Sequence, residues 1–372
     1  MSGQPSAESP LEFREEPRRI LLLLPGLLSE TVQATPFIEA LFARFPEAEI
    51  TLLLDKGQHS LLQGTPWVAR CRFRVPSGRG VSSRPHARQL LAQLRGDRFD
   101  LAVLLPDSLG SAWLCWRSGA RRRVGFDRHN RGLLLTDPLQ APGYVSMPRV
   151  DRYAAIARAL GCPPPPARFR LEATRTAREA VAARLQVAGV GTQGPLVLLY
   201  PGADAGPVGR WSAARFAAVA DHLVRRRGAV VVISPAAEEL AAGQAIHGAM
   251  EQAAVLLDSP CLEPAEMNAL VARAHLLVGN DSAGRQLAAA FGIPSVTVFG
   301  PTDPGRSENG HAGEAIVRVA VPCGPCHRRK CPLEEQVCMT RVGVEEVARA
   351  CERALSRVRA ETPEPASSGR AP

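Results

Sequence analysis

The stretch that decides the fold is His275-Leu-Leu-Val-Gly-Asn-Asp-Ser-Ala-Gly-Arg-Gln-Leu-Ala-Ala-Ala-Phe-Gly-Ile-Pro294, continued by Ser295-Val-Thr-Val-Phe-Gly-Pro-Thr-Asp-Pro304. Leu276 to Val278 reads as a buried strand. A short polar turn follows, and a helix opens near Ser282. That helix ends at Gly292, with the glycine and then the proline in the order expected of a helix C-terminus. Ser295 to Phe299 reads as a second buried strand, so the segment is a βαβ unit. A polar turn at a helix N-terminus offers backbone N–H groups and the positive end of the helix dipole, a geometry that suits a diphosphate. An ordinary turn capped by Ser282 or Asp281 would look the same in outline.

Outward from this unit the same alternation continues. Apolar runs at Ile20–Leu24, Ile50–Leu54, Leu101–Leu105, Leu196–Tyr200, Val230–Ile233 and Val255–Leu257 read as strands. Helical spacing joins Ile38, Leu41, Phe42 and Phe45, and again Phe216, Val219, Ala220 and Leu223. Continuous apolar strands between amphipathic helices predict parallel sheets covered on both faces. Pro163 to Pro166 interrupts the pattern, and a new βα series starts after Gly194-Pro195. The division expected is a disordered leader over 1–18, a first Rossmann-like domain over 19–172, a linker region over 173–194, a second such domain over 195–360 and a disordered tail over 361–372. The last helix, Val344 to Val358, is expected to return toward the first domain.

Composition narrows the function classes. The chain has 372 residues, 45% hydrophobic and 22% charged, which fits two globular domains. No apolar run approaches the roughly 20 residues that span a bilayer. Ile20–Leu24 is too short for a signal peptide and lacks a cleavage site, so a cytoplasmic protein is expected. The formal net charge is +9. Arg117, Arg121, Arg122, Arg123, Arg128 and Arg131 form its densest run, either a solvated face with a strand edge or a patch for an acidic acceptor or membrane surface. Aromatic residues of the kind that stack bases are not interleaved with it, so nucleic acid is not an expected partner.

Nine cysteines do not pair evenly. Cys323, Cys326, Cys331 and Cys338 cluster as C-x2-C-x4-C-x6-C and could hold a tetrahedral structural zinc. Reduced thiols tying down a loop, or a stray disulfide, are the other readings.

The wording of the deciding segment is more specific than its shape. Asn280-Asp281-Ser282 before Leu-Ala-Ala-Ala-Phe-Gly-Ile-Pro, then Phe299-Gly-Pro-Thr302, resembles glycosyltransferase family 9, the ADP-heptose:lipopolysaccharide heptosyltransferases. Tyr200-Pro-Gly-Ala203 with Arg210-Trp211 and Arg215-Phe216 is similar to the start of that family's second domain. Phe99 to Ser108, Arg123 to Phe126 and Arg131 to Leu135 are similar to its first. The resemblance runs from Arg19 to Leu355. It implies an α/β protein of GT-B architecture, two Rossmann-like doubly wound domains facing a cleft. It also implies an inverting transferase that needs no metal or other cofactor for catalysis. The donor would be ADP-heptose or another nucleotide sugar. The acceptor would be a lipid-linked core glycan at the inner face of the cytoplasmic membrane.

Carried over by position, the resemblance places the general base at Glu30, where the family has Asp. Donor binding falls to Pro201, Gly202, Arg210, Asn280, Asp281, Ser282, Ala283, Gly284 and Gln286. Several positions depart from the family pattern. Gly209 stands where a lysine is usual, Ala283 where a glycine is, Gln286 where a histidine is, and Leu24 where the first strand ends in arginine. The alternative reading is therefore a member that binds a nucleotide sugar or glycan without turnover. A sugar-nucleotide epimerase shares the two-domain architecture, but not the family wording.

Overall fold

A computed structural model describes residues 10–69, 71–73, 84–191 and 193–361. Two compact units emerge. The first comprises residues 1–174, 263–268 and 305–310, and the second residues 175–262, 269–304 and 311–372.

The first unit holds strands β1 (Arg19–Leu23), β2 (Glu49–Leu54), β3 (Cys71–Phe73), β4 (Leu101–Leu104), β5 (Arg122–Phe126) and β6 (Asp137–Leu139). They form one sheet in the order β3-β2-β1-β4-β5-β6. Every neighbouring pair is parallel, with Ile20 registered against both Ile50 and Leu101. The second unit holds β7 (Leu196–Tyr200), β8 (Val230–Ile233), β9 (Ala254–Leu256), β10 (Leu276–Asn280), β11 (Ser295–Val298) and β12 (Glu314–Val317), in the order β12-β11-β10-β7-β8-β9. Numbered within its own unit, each sheet reads 3-2-1-4-5-6, the doubly wound order. The central strands are buried throughout because helices cover both faces, which is why they read as continuous apolar runs.

In such sheets a ligand sits beyond the carboxyl ends of the strands where the strand order reverses. In the first unit that point lies between β1 and β4. In the second it lies between β7 and β10.

Several expectations need correction. Residues 10–18, expected as disordered leader, pack on the first unit. The Phe13 ring lies 5.9 Å from Phe45 edge-on, Leu11 N–H donates to Ala159 at 2.7 Å, and Arg44 pairs with Glu16 at 2.7 Å. Residues 1–9 and 362–372 lie outside the described residues. Residues 175–187, read as linker, form a helix of the second unit. The last helix, Val344–Glu361, packs on the second sheet, and its Val347, Ala350, Cys351 and Leu355 are core residues there. Part of the arginine run is tied down within the first unit. Arg131 is fully buried against the carbonyls of Phe126 and Pro106, Arg122 pairs with Asp137, and Arg123 donates to Leu134 and Ala120.

Candidate functional site

In the second unit the carboxyl ends of β7 and β10 are joined through one side chain, Asn280. It is fully buried. Its amide donates to the carbonyls of Pro201 at 2.9 Å and Gly202 at 3.3 Å, and its oxygen accepts from Trp211 N–H at 3.0 Å. Expected as a donor contact, Asn280 is a clamp that fixes the Pro201–Trp211 loop against the turn after β10. A second tie joins Asp204 N–H to the Asp281 carbonyl at 2.9 Å. Pro201, Gly202 and the turn at 280–282 are thus brought together, as the resemblance implied.

The helix Ala283–Phe291 opens at this turn with Ser282 at its N-cap and Gly292 at its C-cap. Ser282 does not cap it: the hydroxyl donates back to the Asn280 carbonyl at 3.1 Å. Of the two caps that the ordinary-turn reading offered, the Ser282 side chain is thus not one. Gly284 lets the helix approach β7, since a Cβ there would fall 2.8 Å from the Tyr200 ring. Asp281 faces Arg285 at 3.4 Å. Arg285 is 1% exposed, is held by both oxygens of Glu314 at 2.6 Å, and lies over the Phe299 ring. Burial alone would pull the Arg285 guanidinium down. Glu314 and Asp281 instead hold it above its ordinary value. Gln286 is buried within this same helix.

Arg210 is half-buried at the loop's far end. Its Nη2 lies 3.5 Å from Glu239, and its Nε is buried with no hydrogen-bond partner among the described residues. Glu239 is a residue that sequence reasoning missed. Its carboxylate accepts from Ala203 N–H at 3.1 Å and occupies the space a side chain on Gly202 would need. Burial pushes its carboxyl above the ordinary range, against the lowering pull of the Ala203 N–H and Arg210. A signal was present: Glu239 closely follows the second strand of a doubly wound unit, where an acid commonly meets a ribose.

In the first unit Glu30 lies in the opening turn of the helix Leu28–Arg44, directly after β1. Its Oε1 pairs with Arg149 Nη2 at 2.9 Å, both side chains about a quarter exposed. Arg149 begins the helix Arg149–Ala159 and also donates to Gln33 Oε1 at 2.9 Å. Gln33 in turn donates to the carbonyl of Ser307 at 3.0 Å. Tyr153, buried one turn beyond Arg149, is pushed well above its ordinary value, first by burial and then by the charge of Glu30. Neither Arg149 nor Gln33 carried a motif; Gln33 follows Glu30 by one helical turn, and the fold brings Arg149 to both.

The four clustered cysteines do not make a metal centre. Among the described residues no group of three or more His, Cys, Asp or Glu side chains is placed to hold an ion. Cys338 is turned into the core of the second unit, whereas Cys323 is exposed. Burial and then the nearby thiols raise Cys338 above its ordinary value.

With this geometry in place, four likenesses are informative. Residues 87–337 match the model of glycosyltransferase family 9 (heptosyltransferase). Lipopolysaccharide heptosyltransferase 2 of Salmonella typhimurium is 29% identical over 300 residues, spanning 77% of this chain and 84% of that protein. The structure of the Escherichia coli ADP-heptose lipopolysaccharide heptosyltransferase II aligns with a TM-score of 0.74 at 22% identity, covering 91% of this chain and 99% of its own. A family 9 glycosyltransferase from Veillonella parvula aligns at 0.76 and 20% identity, covering 95% and 100%. The two doubly wound sheets are those of GT-B architecture.

Proposed function

The chain belongs to glycosyltransferase family 9, the heptosyltransferases, and on that footing we propose that it moves a heptose from ADP-heptose to a lipopolysaccharide-core acceptor carried on a lipid at the inner membrane surface. Transfer proceeds with inversion and without a metal. Glu30 takes the proton from the attacking acceptor hydroxyl. The new glycosidic bond forms at the anomeric carbon as its bond to the diphosphate oxygen breaks. The leaving ADP carries the negative charge, and the amides at the start of the helix Ala283–Phe291, with Arg210, stabilise it. The observation that carries this reading is the polar turn at Ser282–Gly284, which opens a helix and is held to the Pro201–Trp211 loop by Asn280. Arg210 supports it, since its Nε has no hydrogen-bond partner among the described residues and can fork onto a phosphate.

The test is release of ADP from ADP-heptose by the purified protein, dependent on a core acceptor, with the product identified by mass. Ser282→Asp places like charge at the helix start, and donor binding should be lost. Donor binding without transfer to any core acceptor would replace this reading with that of a binding protein.

A further inference from the structure

The helix Leu109–Ser118 carries a face that transfer chemistry does not use. Ala112, Cys115 and Ser118 bury one side of it against the first sheet. On the opposite side Leu109, Trp113 and Trp116 fall within one arc, four and three residues apart. They are 53%, 48% and 47% exposed. Leu133, 96% exposed, stands on the short turn Gly132–Leu134 that packs beside this helix. Two half-exposed indoles and two exposed leucines on one side are more than scattered surface apolar residues.

The charge around them is one-sided. The helix has no acidic residue. Arg117 lies over the Trp113 ring at 5.5 Å, Arg95 donates to the Arg117 carbonyl at 2.8 Å, and Arg121 is an exposed neighbour. Residues 84–123 hold eight arginines against three aspartates. Indoles prefer the boundary between hydrocarbon and water, and arginines beside them favour a negatively charged surface. We infer that this face docks the protein on a bilayer containing anionic phospholipid, with Trp113 and Trp116 entering the interface and Arg117 and Arg121 meeting the headgroups. The helix begins at Ser108, at the carboxyl edge of β4, one strand from the β1 edge that delivers Glu30. The inference deepens the proposed function and rests on its lipid-carried acceptor.

The chain has four tryptophans, and the other two, Trp67 and Trp211, are 3% exposed. Quenching of emission by brominated acyl chains therefore reports Trp113 and Trp116. The full-length protein is mixed with phosphatidylcholine vesicles with or without phosphatidylglycerol, and with no donor or acceptor present. Quenching and co-sedimentation are expected only with phosphatidylglycerol, weakening as salt rises. The double variant Trp113→Ala and Trp116→Ala should bind about tenfold or more weakly while melting as the unmodified protein does. Arg117→Glu with Arg121→Glu should weaken binding and keep both indoles. No association with phosphatidylglycerol vesicles would overturn the inference, as would unchanged binding of both double variants. A dimer in ultracentrifugation that the tryptophan variant dissolves would overturn it too, because the face would then cover a second copy. Since neither substrate is present, failure here is separate from failure of transfer, which a lipid-free acceptor tests.

Discussion

Replacing Glu30 and Arg149, singly and together, separates chemistry from scaffold. The two side chains meet at 2.9 Å and are about a quarter exposed, so the pair contributes about 1 kcal/mol or less to stability after screening. In a unit of this size that moves the melting temperature by roughly 2–4 °C at most. A general base contributes about 10²–10⁴-fold to rate, so Glu30→Gln should remove that much turnover while donor affinity stays constant. Arg149 holds Oε1, which leaves the other carboxylate oxygen to receive the acceptor proton. Arg149→Met releases that restraint, and loss of positioning should lower kcat by up to about 10²-fold. It also removes the cation facing the carboxylate. The remaining groups near Glu30 are Tyr153, on the helix Arg149–Ala159, and beyond it Asp107 and Tyr144. Arg149→Lys should restore part of the lost kcat. The assay is ADP release at saturating donor across pH, with donor affinity from calorimetry. In the Glu30→Gln background, Arg149→Met should cost nothing further, because Arg149 acts through Glu30. Turnover of Glu30→Gln at the unmodified rate would refute the base. Additive losses in the double variant would refute the positioning role of Arg149 alone.

Three further outcomes are expected. Arg285→Leu leaves Glu314 buried without its partner and should cost about 3–5 kcal/mol in denaturant melts, whereas a loss under 1 kcal/mol would show the pair to be dispensable. Gly284→Ala drives a methyl into the Tyr200 ring and should cost about 1–3 kcal/mol and weaken donor binding, both read by melting with and without ADP. Glu239 is raised on folding, so its contribution is present below the ordinary carboxylate value and lost as pH rises through its folded value. Glu239→Gln should flatten the melting temperature against pH in that window, and an unchanged slope would place the dependence elsewhere.

How much of this was legible depends on where burial leaves a mark. The central strands β1, β2, β4, β7, β8, β10 and β11 are covered on both faces and read as apolar runs. The edge strands β3, β6 and β12 went unread, as did β5, whose first two residues are only half-buried arginines. There Cys71-Arg-Phe73, Arg122-Arg-Val-Gly-Phe126, Asp137-Pro-Leu139 and Glu314-Ala-Ile-Val317 need no continuous apolar face. Pro138 is tolerable in β6 because an edge strand has one side without a ladder. At the site, the turn after β10 was legible from its polar residues between two buried elements. Arg149 was not, because it reaches Glu30 across a long stretch of sequence, and Gln33, one turn beyond Glu30 on the same helix, shows a role only through Arg149. The leader was misread for the opposite reason: Phe13 was overlooked among prolines and acids, yet one aromatic against Phe45 and Arg122 is enough to hold the segment.

The positions that depart from the family pattern bear on whether the scaffold is damaged, and their surroundings argue that it is not. Ala283 replaces a usual glycine, but it is the first residue of a right-handed helix and is absent from the left-handed positions that need glycine. A methyl there carries no backbone strain. Gly209 replaces a usual lysine. A Cβ there would lie 3.1 Å from Ala205 and 3.3 Å from Ala203, so the loop has closed over the space that side chain would begin in. Loss of the lysine and tightening of the loop are one packing solution. Arg210 beside it keeps the cation, and Glu239 keeps Arg210 and Ala203 in place. A decaying site accumulates substitutions that ignore their neighbours. Here the changes at Ala283 and Gly209 fit their neighbours, and the carboxylate and the cation persist, which argues for a retuned transferase over a decayed one.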